Sequence, residues 1–535
     1  MEERVVPSPL IYSDVRPQGI KSRQRMVKFT PNTAGPYTAS GNNTIRFYLN
    51  SNSFLDPFET YLKVQVTFDA TDLYGSANVA IGDAKTKYSR VAEHFCIDKC
   101  ASAVFNRMVI YVGSNELERI EEYDVLANIL NDVEFSGERG FSHFHEGRAA
   151  GQPGTSNLNG NFPSGAFTPT IPPTYSVIQN GVDLTLTHNG LVSDRWYKSC
   201  DVESINQVVG NVSYNTKYRF RYDYNIKQAT TIVVNYCIPL YSGILGILMP
   251  KNNIKYLPMQ FLPNLGLELT LNGAFVKTTV ANLAVDYSIT NCELFTTLMD
   301  FDELVTEQIK QMIAQEGLLI HTHSFYTTFI DAIPYNAAGT SITSNWHINL
   351  GFKSLKSIFV VFTPTLGRTG AVYYKSGRSG LGVSKFQVKI GSDYYPSLPI
   401  EATPSTHQHT DMYINLLKAI KRFHDPALDM QFSIGSYDYL CVLADNSTVT
   451  YDGGVLVANS PPLSGAIYGI DLDSVSDDDN VISGINTIIN RPFEIQMTYI
   501  PETQNYASVD AIALCLYDMM INIKPNLEVI AIGRT

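Results

Sequence analysis

Hydrophobic and polar positions alternate with a period of two along much of the chain. In the run 61–68, Leu62, Val64, Val66 and Phe68 alternate with Lys63, Gln65 and Thr67. In 218–226, Tyr218, Phe220, Tyr222, Tyr224 and Ile226 oppose Arg219, Arg221 and Asp223, and Leu267, Leu269 and Leu271 alternate with Glu268 and Thr270. This period puts one face of a strand in a core and the other toward water or a neighbour. The block from Tyr218 to Leu271 organises the rest. Pro239, Pro250, Pro258 and Pro263 cut its apolar run into pieces, because proline donates nothing to a sheet ladder. Short, proline-bounded, aromatic-rich strands predict an antiparallel sandwich.

Further strands are expected at 44–50, at 105–112 before the turn Gly113-Ser114-Asn115, and at Tyr287–Leu298. From Leu318 onward they include Trp346–Leu350, Ser357–Phe362, Phe386–Ile390, Gln431–Ile434, Tyr439–Leu443, Phe493–Tyr499 and Ala511–Ile523. Two stretches change period. Glu116–Asn131 places Leu117, Ile120, Val125, Leu126, Ile129 and Leu130 near helical spacing, with Glu116, Glu118, Glu121 and Glu122 in the first turns, where acids favour a helix. Phe301–Gln315 reads as an amphipathic helix stopped by Gly317. Residues 132–185, rich in Gly, Pro, Ser, Thr and Asn, predict a long surface loop.

The second half repeats the first. Val109–Asn115 is echoed by Gln387–Asp393, Tyr123–Leu130 by Tyr413–Ile420, Leu267–Leu271 by Phe493–Met497, and the strand at Cys292 by the strand at Cys515. Four matches in one order indicate a duplication. The layout expected is an extended N-terminal arm at 1–40, a first sandwich at 41–300, a linker helix at 301–317 and a second sandwich at 318–535.

Composition refines this picture. A chain of 535 residues exceeds one core, and two large β units fit its length. With 44% hydrophobic and 17% charged residues, 32 Tyr and 26 Phe, it is ordinary globular material suited to strands. The net charge of −12 argues against nucleic-acid binding by the chain as a whole. Arg4, Arg16, Lys21, Arg23, Arg25 and Lys28 outnumber Glu2, Glu3 and Asp14 within 1–30, which makes the arm basic. Seven cysteines, odd in number and mostly in apolar runs, favour buried reduced thiols over a disulfide framework. The N-terminus lacks a signal-peptide pattern, and 236–249 is too short and too interrupted to span a bilayer. A soluble protein is expected.

The chemistry-bearing residues select no catalytic centre and no cofactor. His94, Cys96 and Cys100 resemble half a zinc site without its second pair. His143/His145, His321/His323 and His407/His409 are three His-x-His pairs. On a strand each pair shares a face, but no carboxylate partner is fixed by spacing. Asp471, Asp473 and Asp477–Asp479 lack the register of a calcium loop. The glycine-rich Gly377–Gly382 precedes a strand and lacks the Lys-Ser/Thr ending of a phosphate loop. Glu121-Glu122 reads as a solvated helix face.

Taken together, the sequence resembles the double jelly-roll major capsid proteins of the adenovirus–tectivirus lineage, nearest in style to virophage and polinton-like members. Asn52–Pro57 with the strand 61–68, Val109–Ser114 followed by Tyr123–Leu130, Ile238–Gly246, and Leu267–Leu271 with its later partner carry the resemblance. It spans roughly Thr44 to Ile523. It implies an all-β fold of two tandem eight-stranded antiparallel jelly-roll sandwiches with a few short helices. It further implies a non-enzymatic major capsid protein that forms pseudohexagonal homotrimers tiling an icosahedral DNA-virus shell. The partners implied are other copies of the chain, then minor capsid and penton proteins. The arm, through Arg4, Arg16, Lys21, Arg23, Arg25 and Lys28, would face inward to a membrane or the genome. Loops 132–185 and 444–490 would form outer towers. The site would be the virion, after synthesis in host cytoplasm or nucleus. Two other readings stay open at this point: a tandem jelly-roll lectin using Tyr394-Tyr395, and a β-sandwich glycosidase.

Overall fold

The computed structural model describes residues 22–69, 95–97, 100–134, 175–179, 182–186, 201–209, 212–216, 229–248, 255–278, 286–334, 341–365, 378, 380–404, 408–423, 437, 449–451, 454–456, 466–473, 482–488, 493–500 and 508–534. Sixteen of its strands build two sandwiches. The first contains β1 (Ser22–Phe29), β2 (Thr44–Leu49), β3 (Phe54–Asp69), β4 (Phe105–Val112), β5 (Asn115–Ile120), β6 (Ala229–Pro239), β7 (Leu265–Leu271) and β8 (Asp286–Phe301), with α1 (Tyr123–Glu134) after β5. Helix α2 (Glu303–Glu316) leads to the second. That unit contains β9 (Leu318–Pro334), β10 (Ile342–His347), β11 (Leu355–Pro364), β12 (Val383–Ile390), β13 (Asp393–Glu401), β14 (Tyr468–Asp471), β15 (Phe493–Tyr499) and β16 (Ser508–Ile523), with α3 (Thr410–Ala419) after β13.

The strand orders establish the duplication. In the first unit the jelly-roll strands run β1-β8-β3-β6, a sheet that continues past β6 through residues 201–209 and 212–216, and β2-β7-β4-β5; in the second they run β9-β16-β11-β14 and β10-β15-β12-β13. Adding eight to each strand of the first unit gives the second. Every pairing in these sheets is antiparallel. This interleaved order is a jelly roll. The alternation seen in the sequence does the packing: Leu267, Leu269 and Leu271 of β7, and Phe493, Ile495, Met497 and Tyr499 of β15, are all buried. Trp346 of β10 stacks on Tyr499 with ring centroids 6.2 Å apart. The prolines stand where a ladder must stop: Pro239 closes β6, and Pro258 ends a two-residue pairing with β3.

Several expectations are corrected. Residues 22–29, assigned to the arm, are the edge strand β1, paired with β8 from Ser22↔Phe301 to Phe29↔Leu294. Its side chains are mostly exposed, so no apolar alternation marked it, and the sandwich begins before residue 41. Tyr37 is buried as well. The helix expected from Glu116 begins at Tyr123, because 115–120 is strand β5. A register shift between Ile110 and Tyr111 in the β4–β5 ladder buries consecutive Leu117 and Glu118, and such a bulge imitates helical spacing. β14 lies inside the supposed tower loop 444–490, and α1 occupies 132–134 of the loop expected at 132–185. β10 starts at Ile342, four residues before the expected Trp346. The expected strands at 218–226, 431–434 and 439–443, all but residue 437 of the segment 424–448, and Arg4, Arg16 and Lys21 lie outside the described residues.

Gly113 at the β4–β5 hairpin and Gly391 at the β12–β13 hairpin both have positive φ, +59° and +66°. The repeated Gly-Ser pair is thus the same two-residue turn built twice.

Candidate functional site: the seam between the sandwiches and a histidine–aspartate cluster

The two sandwiches meet along a seam whose centre is a buried carboxylate. Glu118 of β5 is fully buried. It accepts hydrogen bonds from the Gly243 backbone N–H at 3.0 Å, from Ser324 Oγ of β9 at 2.6 Å, and from Ser242 Oγ. Ser242 Oγ in turn accepts from the N–H groups of Ile244 and Leu245, both at 3.0 Å. Burial pushes the Glu118 carboxyl above its usual range, opposed by these donors and by the nearby Arg534. A buried acid ringed by donors is a locking device, since any unmatched donor costs its desolvation.

The contact is close because Gly243 has no side chain. A Cβ there would lie 2.0 Å from the His323 carbonyl oxygen. Thr322 Oγ1 of β9 donates to the Gly243 carbonyl at 2.6 Å, and Thr327 Oγ1 to the Glu121 carbonyl. Toward the rim, Arg534 pairs with Glu116 at 3.0 Å, and Asn115 Nδ2 donates to the Val529 carbonyl at 3.0 Å.

A second buried link joins α1 to the other unit. Arg378 Nη1 stands 2.8 Å from Asp132 Oδ2, with side chains 2% and 0% exposed. The glycine-rich run at 377–382 therefore delivers an arginine into the seam. The sequence marks this arginine only as a charge set among glycines and serines. α1 is buried at nearly every position, its Asp124, Asn128, Asn131 and Asp132 included, whereas its counterpart α3 keeps Lys418 and Asp411 exposed. Duplicated elements have diverged where one meets the seam.

On β9 the neighbouring face carries His321 and His323. Asp518 of β16 lies directly across the ladder from His323. His321 Nε2 is 3.0 Å and His323 Nε2 3.2 Å from Asp518 Oδ1. Ser354 Oγ donates to Asp518 Oδ2, and Lys356 Nζ stands 4.0 Å from Oδ1. Burial raises the Asp518 carboxyl, but it is outweighed: hydrogen bonding from His321 and Ser354, the approach of His323 and the Lys356 charge hold it well below the usual carboxylate range. Next to this group, Lys421 bridges Asp471 at 2.8 Å and Asp473 at 2.7 Å. The carboxylate that spacing did not supply comes from a strand nearly 200 residues away in sequence, which only topology brings near.

The other sequence candidates are not gathered. Arg25 pairs with Asp300 at 3.3 Å and Lys28 with Glu293 at 2.9 Å, both across the β1–β8 ladder, and Arg23 is exposed on the same strand. Cys100 is buried, while His94 lies outside the described residues, as do His143, His145, His407 and Asp477–Asp479. His409 is buried and stacks on Tyr437 at 5.4 Å. Tyr394 is exposed, with Lys389 Nζ 6.0 Å above its ring. Cys292 and Cys515, at matching places on β8 and β16, are buried free thiols, and burial pushes both thiols up. Glu121 pairs with Arg119 at 2.6 Å.

No protein-family model matches the chain, and no curated protein matches it. Solved structures do. A chain of the Sputnik virophage determined by cryo-EM aligns with a TM-score of 0.50 and 12% identity, over 98% of this chain and 92% of its own. The major capsid protein of mavirus aligns with a TM-score of 0.51 and 10% identity, over 98% of this chain and 95% of its own. Strand order, duplication and these near-full-length matches agree that the chain has the double jelly-roll fold, the same fold as the mavirus major capsid protein.

Proposed function

We propose that this chain is a major capsid protein, a structural unit that assembles with copies of itself into a viral shell. The observation that carries the reading is the end-to-end match to the mavirus major capsid protein, over 98% of this chain and 95% of that one. The seam supports it. Glu118, Gly243 and Arg378 are used to fix one sandwich on the other, which gives a rigid double block. Two sandwiches per chain make six in a homotrimer, a near-hexagonal tile. In this reading the chain resides in the virion, and minor capsid and penton proteins are its further partners. Residues before β1, with Arg4, Arg16 and Lys21, reach toward the interior. Arg23, Arg25 and Lys28 lie on the edge strand from which that segment departs.

The test is the mass of the purified protein in solution, followed by electron microscopy. A species of roughly 178 kDa, three chains of 59.4 kDa each, forming hexagonal particles or sheets is expected. A monomer that binds oligosaccharides would replace this reading with the lectin one.

A further inference from the structure

We propose that His321, His323 and Asp518 form a binding site for a divalent transition-metal ion of the zinc class. Three features of the cluster support it.

The first is geometry. His321 and His323 share a strand face by the period of two, and Asp518 pairs across the ladder from His323. The Nε2 and Oδ1 atoms lie 3.0 and 3.2 Å apart. In a tetrahedral zinc site with bonds of about 2.0–2.1 Å, neighbouring ligand atoms are about 3.3 Å apart. Both histidine nitrogens stand near that spacing from Asp518 Oδ1, and all three donor atoms lie within 4.8 Å of one another.

The second is a buried ring nitrogen with only a poorly aligned partner. His323 Nε2 is buried and forms no hydrogen bond of good geometry, although Asp518 Oδ1 is 3.2 Å away. A buried ring nitrogen without a hydrogen bond is costly, and a metal would satisfy it. The two imidazole rings are nearly perpendicular, at 88°, so their nitrogens converge without the rings stacking.

The third is support behind the ligands. Ser354 Oγ holds the other oxygen of Asp518, and the Gly484 N–H donates to Ser354 Oγ at 2.9 Å. Such outer partners orient ligand carboxylates. The histidine side chains are 19% and 15% exposed, which leaves a route for the ion.

Two imidazoles and one carboxylate select zinc-class ions over magnesium or calcium, which prefer all-oxygen sites. On binding, each neutral ring is the Nδ1–H tautomer and offers the Nε2 lone pair; a proton held on Nε2 toward Asp518 in the metal-free chain moves to Nδ1 through solvent, so no net proton need leave. Three protein ligands leave a fourth position for water. Lys356, 4.0 Å from Asp518 Oδ1 and 3.9 Å from Asp473 Oδ2, opposes the ion and would shift toward Asp473. The ion would staple β9 to β16 beside the seam.

The test uses the full chain, stripped with EDTA and dialysed, then titrated with Zn²⁺ or Co²⁺ alone. The expected result is one ion per chain by calorimetry, visible cobalt bands of low-symmetry four-coordination, and a zinc-dependent rise in unfolding temperature. His321→Gln keeps a donor to Asp518 and so preserves the fold; it should lose the cobalt bands and weaken zinc binding at least tenfold. Ser354→Ala should weaken it about tenfold, and Lys356→Met should tighten it. His347→Gln, at a histidine facing Glu494 at 3.7 Å with no second histidine, should change nothing. Absence of stoichiometric binding in the wild type, or equal binding by His321→Gln, overturns the proposal.

Discussion

Glu118 on β5 of the first sandwich accepts a hydrogen bond from Ser324 on β9 of the second at 2.6 Å. Residues 206 positions apart thereby share one proton in a buried interface. Glu118→Ala strands the donors of Ser242, Gly243 and Ser324, and should lower stability by about 2–4 kcal/mol, on the scale of about 1–3 kcal/mol for a buried unsatisfied group. Glu118→Gln keeps the shape but turns one acceptor into a donor, and should cost about 1–3 kcal/mol. Urea denaturation followed by fluorescence measures both.

The same residue sets a pH dependence. Its pKa is raised in the folded chain, chiefly by burial, so the folded state holds a proton that the unfolded state releases. Stability should therefore rise as pH falls through the raised value toward the ordinary glutamate range, and decline in the opposite direction. The slope should be absent from Glu118→Gln. Midpoints of unfolding across pH for the two proteins give the answer.

Arg378 and Asp132 test whether the second link bears weight. Removing either partner takes this contact from a buried charge, and Arg378→Ala or Asp132→Ala should cost about 3–5 kcal/mol. The double replacement Arg378→Met with Asp132→Leu should recover most of that loss. A non-additive double-mutant cycle is the expected signature.

Gly243→Ala should be severe. The added methyl would meet the His323 carbonyl at 2.0 Å, and a loss above about 4 kcal/mol or insoluble protein is expected. Gly113→Ala is the contrast, since nothing lies within 4 Å of its Cβ and only its φ of +59° resists; a cost of about 1–2 kcal/mol follows. Soluble yield and thermal melting separate the two.

Cys292 and Cys515 should ignore a thiol reagent in the native protein. Both are buried with their thiols pushed up, and the thiolate is the reactive form. Mass spectrometry after brief alkylation, native against denatured, checks this.

Much of the fold was legible in the sequence. Period-two alternation found β3, β4, β7 and β15 because each buries one face and wets the other. The Gly-Ser hairpins and the two helices exposed the duplication. β1 escaped because an edge strand such as Ser22–Phe29 buries too little to pattern its residues. β5 was taken for helix because a bulge buries two consecutive residues. The sites fared worse. Glu118 reads in the sequence as an acid of a helix's first turns, Arg378 as part of a glycine-rich run, and Asp518 carries no sign of its histidines. Each acquires its role from a partner on the far side of the chain, and linear spacing does not encode such partners.

The Arg378–Asp132 pair also bears on how the protein is made. The two residues are 246 positions apart, so a ribosome adding roughly 5–20 residues each second delivers the arginine some 10–50 s after its aspartate. During that interval helix α1 lacks this contact with Arg378. The lock between the two sandwiches therefore closes only after the second has been synthesised as far as Arg378, and the order of translation becomes the order of assembly.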